Sequence, residues 1–180
     1  MSSKTLVLVG MKQTLKALEQ FDKDAVKGFN KVVNTELLGA KNEARSLVKP
    51  QPPLSGWATQ PARNPRTRGG AGWPAWDQSI IKAGITSTKV EGKVRKDYTT
   101  SAGALKNISA PGVIYEIAGR KGNKAGTFIS NLSKKDGPFM PSRLVWHVVD
   151  KNGQQIRDNV ENAFKNVQEK LQRNLEKERG

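Results

Sequence analysis

The chain has 180 residues, with 31 lysines and arginines against 16 acids, one histidine, no cysteine and a net charge of +15. That length suits one domain. The missing cysteines exclude disulfides, thiolate nucleophiles and sulfur-ligated metals, and the scattered acids with a single histidine offer no metal-ligand set, so no cofactor is implied. The charge asks for an anionic neighbour: nucleic acid, an anionic membrane or an acidic protein surface.

In chain order, Lys4 to Val9 is a short apolar run with two valines and predicts an edge strand. Met1 to Gln13 lacks the length and small-residue cleavage site of a signal peptide, and no stretch approaches the roughly 18 apolar residues of a membrane span. From about Met11 to Val48, Leu15, Leu18, Ala25, Phe29, Val32, Leu37, Ala40, Ala44 and Leu47 recur mostly at helical spacing, so one apolar stripe and a long helix are expected. Gly28 and Gly39 mark places for a bend or close packing, and Pro50 stops the helix.

Lys49 to Asp77 then breaks all periodicity, with six of the nine prolines, Arg63, Arg66 and Arg68, and three tryptophans, Trp57, Trp73 and Trp76. So long an aperiodic segment predicts an extended functional loop. Bare tryptophans are unfavourable in water, so some of these three are expected to pack on the domain or on a partner. Arginines among tryptophans also suit stacking on bases with phosphate pairing.

Ser79 to Ala118 reads as a β region of three or four antiparallel strands. "SIIKAGITST" is β-branched, "KVEGKVRKDYTT" alternates with period two, and "GVIYEIAG" is an apolar run, with Gly103, Pro111 and Gly112 as punctuation. A basic loop over 119–137 follows, carrying Arg120, Lys121, Lys124, Lys134 and Lys135. Pro138 and Pro141 bracket Phe139 and Met140, forming a joint in which the two apolar side chains plug the turn into a last helix. That helix, Asn152 to Glu178, carries Ile156, Val160, Phe164, Val167, Leu171 and Leu175 on a narrow seam. The seam faces either its own domain or a neighbouring subunit.

Catalytic patterns are missing. His147 would be the base of any hydrolase, yet it sits in the apolar run "LVWHVVD" with no nucleophile elbow or phosphate loop in the chain. It reads as structural, and the protein as a non-enzyme. If the basic segments meet nucleic acid, no recognition motif accompanies them, so binding would run through backbone charge without sequence preference.

Four stretches give the order of parts a specific likeness: "AKNEARSLVKP" (Ala40 to Pro50), "GWPAWDQSI" (Gly72 to Ile80), "VIYEIAGRKG" (Val113 to Gly122) and "GPFMPSRLVW" (Gly137 to Trp146). In that order the chain resembles the tailed-phage head–tail neck, tail-completion and tail-terminator-like proteins. The resemblance implies an α+β fold in which a small antiparallel sheet is packed by a long N-terminal helix and a C-terminal amphipathic helix, in one domain over residues 1–180. It implies a structural virion protein without cofactor, forming a homo-oligomeric ring, a hexamer by preference, between the portal–connector or stopper and the tail-tube proteins. Trp57, Arg63, Arg66, Arg68, Trp73 and Trp76 would then contact neighbouring subunits. Arg120, Lys121, Lys124, Lys134 and Lys135 would line a DNA channel, with no membrane involved. The alternative that the charge supports is a basic, sequence-independent nucleic-acid-binding protein.

Overall fold

A computed structural model describes residues 5–9, 11–54, 57, 59, 74–89, 99–117 and 143–179. The fold is α+β. Its described elements run β1 (Thr5–Val9), α1 (Met11–Phe21), α2 (Lys23–Ser46), α3 (Gln78–Gly84), β2 (Ile85–Lys89), β3 (Thr99–Asn107), α4 (Ala110–Ile117) and α5 (Val145–Arg179). The three strands form one sheet in the order β1-β3-β2, which leaves β1 at an edge as its sequence suggests.

The long N-terminal helical pattern is two helices. The break comes at Asp22, ahead of both glycines. Its carboxylate accepts hydrogen bonds from the backbone N–H groups of Asp24 at 3.1 Å and Ala25 at 2.9 Å, which caps the start of α2. Helix α2 then continues through Gly28 and Gly39, and a Cβ added at either would meet nothing within 4 Å. Neither glycine is therefore a point of close packing. The helix ends at Ser46, where Val48 N–H bonds the Arg45 carbonyl in a tightened last turn ahead of Pro50.

Two segments expected as strands are helices. "SII" belongs to α3, where Asp77 caps Ser79 and Ile80, and the strand begins only at Ile85. "GVIYEI" belongs to α4, with Pro111 tolerated in the first turn, where its missing N–H is not needed. Strand β3, by contrast, continues through Gly103. Residues 90–98 of the alternating stretch lie outside the described residues.

The residues group into two compact units: 1–40, 87–105 and 151–180, and 41–86 and 106–150. In the first, Met11, Leu18, Ala25, Phe29, Val33, Ala102, Val160, Phe164 and Val167 form one buried cluster. The rings of Phe29 and Phe164 meet edge to face at 6.1 Å. The seam of α5 thus covers its own unit, with Val160, Phe164 and Val167 inside, while Leu175 stays exposed. On α2 the buried valine is Val33, with Val32 half-buried. Asn159 of α5 donates to the Glu36 carboxylate of α2 at 2.9 Å, fixing the helix pair polar side to polar side.

Strand β1 pairs antiparallel with β3, and the register slips between Leu6 and Val7, whose partners are Gly103 and Ser101. Ala102 is the extra residue of this bulge and lies in the buried cluster. At Gly103 β3 lies close against α2, since a Cβ there would run into the Leu37 side chain.

Candidate functional site

The most elaborate polar arrangement lies in the second unit and begins with one acid in an apolar helix. Glu116 of α4 is buried, and its carboxylate accepts the backbone N–H groups of Leu144 at 2.8 Å, Val145 at 3.1 Å and Trp146 at 2.8 Å. These are the first N–H groups of α5, which no intrahelical carbonyl can satisfy, and they sit at the positive end of its dipole. A hydrogen bond to a charged group is worth about 1.5–3 kcal/mol, so three of them offset the cost of burying the carboxylate.

Around this clamp the aromatic residues stack. Trp57 and Trp76 meet edge to face at 5.0 Å, and Trp76 meets Tyr115, the neighbour of Glu116, at 5.3 Å. Arg143, buried beside the start of α5, holds its guanidinium 5.6 Å from the centre of the Tyr115 ring. Both indole N–H groups find carbonyls: Trp57 donates to Pro74 at 2.8 Å and Trp76 to Lys49 at 3.2 Å. Gln78 donates to the Val48 carbonyl at 2.8 Å, and Arg45 to the Ile85 carbonyl at 3.2 Å. The end of α2 is thereby tied to the start of α3 and to β2.

Two smaller features complete the unit. The Asp77 carboxylate is held below its ordinary pKa, first by the hydrogen bond from the Ser79 hydroxyl and then by the Ile80 backbone N–H. At the end of β3, the Asn107 side-chain oxygen accepts from the Ser109 N–H and hydroxyl, forming the turn into α4. Ser109 is pressed so closely against α3 that a Cβ on Gly84 would lie 2.6 Å from its Cβ and 2.8 Å from its backbone nitrogen.

Of the residues expected to touch neighbouring subunits, Trp57 and Trp76 are 5% and 3% exposed. They are core residues of this chain, so the pull of water against bare indole is satisfied internally. Trp73, Arg63, Arg66 and Arg68 lie outside the described residues, as do Arg120, Lys121, Lys124, Lys134 and Lys135 and the joint Pro138, Phe139, Met140 and Pro141. His147 falls in the first turn of α5, half-buried. Among the described residues no group of His, Cys, Asp and Glu side chains is placed to hold a metal ion, and no helix is long and apolar enough to cross a membrane.

Glu116, Tyr115 and Arg143 do not stand out in the sequence as site residues. The one signal there is Glu116 itself, a single acid inside the otherwise apolar "GVIYEIAG". A charge in such a run is buried with a partner or marks a site.

The chain matches no protein-family model, no curated protein and no solved structure.

Proposed function

We propose that this chain is a non-enzymatic structural protein of a tailed-phage virion, assembling with copies of itself into a ring at the head–tail interface as a neck, tail-completion or tail-terminator component. One observation carries the reading. The four stretches that suggest the likeness are far apart in sequence, yet they meet in one unit. The first and second are joined by Trp76 to Lys49 and Gln78 to Val48, the second and third by the rings of Trp76 and Tyr115, and the third and fourth by Glu116 and the amides of 144–146.

The chemistry of that hub supports a structural role as well. Its buried carboxylate binds the chain's own amides, and its indoles bind the chain's own carbonyls, so the polar groups fix elements in place. A ring needs such rigidity, because heterologous contacts close only when every subunit presents the same angle. On this reading the partners are further copies, a hexamer by preference, with connector or stopper proteins on one side and tail-tube proteins on the other. The protein is assembled in the host cytoplasm and ends in the virion.

Native mass spectrometry with negative-stain microscopy of the purified chain, at near-physiological salt and rising concentration, tests this. A closed ring is expected, and a monomer at every concentration overturns it. The second reading, a basic protein binding nucleic acid without sequence preference, is favoured by the net charge of +15. Its signature is a stoichiometric complex of monomer and random-sequence duplex.

A further inference from the structure

Helix α2 carries a row of lysines that its own architecture does not need. Lys23, Lys27 and Lys31 are all exposed and repeat every four residues, so they stand above one another at steps of about 6 Å. Like charges at this spacing destabilise a helix unless something compensates them. Asp24 compensates Lys27, at 2.9 Å, and its carboxyl is held below the ordinary range by that hydrogen bond. Lys31 has no such acid on its helix, for the positions three and four residues away are Gly28, Lys27, Asn34 and Thr35. The next acid along α2, Glu36, accepts from Asn159.

Beside the row lies an open cleft of about 380 Å³, lined by Lys27, Asn30, Lys31, Asn34, Thr35 and Leu38. Ammonium, amide and hydroxyl groups are the side chains that bind phosphate and sugar oxygens in protein–nucleic acid complexes, and none of these six is an acid. From Lys23 to Lys31 the row spans about 12 Å, which matches the backbone charge of roughly three or four nucleotides of one strand.

We propose that this face of α2 binds the phosphate backbone of a nucleic acid without reading its bases. An anionic membrane suits it less well, because Leu38 is the single apolar residue lining the cleft and an interfacial helix needs a continuous apolar face. The inference does not depend on ring closure, so it stands or falls separately from the oligomeric state.

The test is the salt dependence of binding to a labelled random-sequence duplex, by fluorescence anisotropy between about 50 and 200 mM salt. The full chain is compared with Lys27→Gln/Lys31→Gln and with Lys165→Gln/Lys177→Gln. The second pair removes the same charge from exposed positions of α5. Glutamine keeps helix propensity, and circular dichroism checks that each variant folds. The α2 pair should flatten the slope of log K against log salt by about 1.8, or about 0.9 for each phosphate no longer neutralised, while the α5 pair leaves it unchanged. Equal flattening by both pairs makes the attraction a diffuse property of net charge and overturns the proposal. So does an unchanged slope in the α2 pair, or no binding to duplex. Binding to phosphatidylserine-containing vesicles but not to duplex overturns it in favour of a membrane surface.

Discussion

Both compact units bury apolar side chains, but they differ in the polar ties added to that burial. In the first, nine buried side chains from α1, α2, β3 and α5 form an apolar cluster, and cohesion follows from area removed from water. In the second, Ile81, Ile85, Leu144 and Val148 are fully buried as well, and elements far apart in sequence are further tied by directional interactions: a carboxylate on three amides, two indoles on carbonyls, and a cation over a phenol ring. Burial is tolerant of small shifts, whereas a carboxylate on three N–H groups fixes a helix end to within a few tenths of an ångström. The second unit therefore adds the more precise placement, and the four stretches on which the proposed function rests meet there.

The largest effect is expected in the first unit. Phe164→Ala removes an almost fully buried ring from between Phe29 and its neighbours and should cost about 3–5 kcal/mol in urea unfolding. Glu116→Ala should follow, at about 3 kcal/mol, because it orphans three N–H groups, two of them buried, rather than opening a large void. Glu116→Gln keeps one acceptor oxygen and the volume, so about half of that loss is expected. Hydrogen exchange separates the mechanisms. Glu116→Ala should speed exchange at 144–146 far more than its global cost predicts, and Phe164→Ala should not. Equal acceleration by both would break the distinction between the units.

A matched pair of glycines sharpens it further. Gly84→Ala drives a Cβ against the backbone nitrogen of Ser109, which cannot yield without moving the start of α4, so about 1–3 kcal/mol is expected. At Gly103→Ala the three atoms nearest the new Cβ all belong to the Leu37 side chain, which is half-buried and has other rotamers. Its cost should be clearly smaller. A larger loss from Gly103→Ala than from Gly84→Ala, read as the urea midpoint, would mean that the first unit is the more rigid of the two.

The same contrast explains what can be read in the sequence. The strand at Thr5–Val9, the stripe on α2 and the seam on α5 are legible because a repeating hydrophobic pattern is local information. That the four stretches quoted from the sequence meet in space is not legible there. Helices α3 and α4 read as strands because "SII" and "GVIYEI" are short β-branched runs that periodicity cannot separate from strands. The decisive signs are Asp77 just ahead of the first and Pro111 in the opening turn of the second. Likewise the break at Asp22 is written in a capping residue, while the glycines are the more obvious candidates for a bend. Glu116 is the hardest to see, since its partners begin 28 residues later and no spacing rule connects them.

The smallest effect concerns a charge at the exposed edge of the second unit. Asp77 has its pKa lowered in the folded state, chiefly by the Ser79 hydroxyl, so the folded chain binds its proton less readily than the unfolded one. A depressed carboxylate contributes stability above its unfolded pKa of about 3.9, and that contribution disappears as the pH falls through the lower folded value. Asp77→Asn retains a capping oxygen but cannot titrate. Thermal unfolding of both proteins as a function of pH should therefore show the natural chain more stable near neutrality and the two curves converging in acid. The gap at neutral pH should also shrink with added salt, because Asp77 lies where solvent screens it. Glu116 sits in a buried clamp, and the cost of Glu116→Gln should be insensitive to the same salt. Curves for Asp77→Asn that stay parallel down to low pH would show that folding does not favour the ionised form of Asp77, and would overturn the lowered pKa. The second unit would then draw on charge only where the charge is buried.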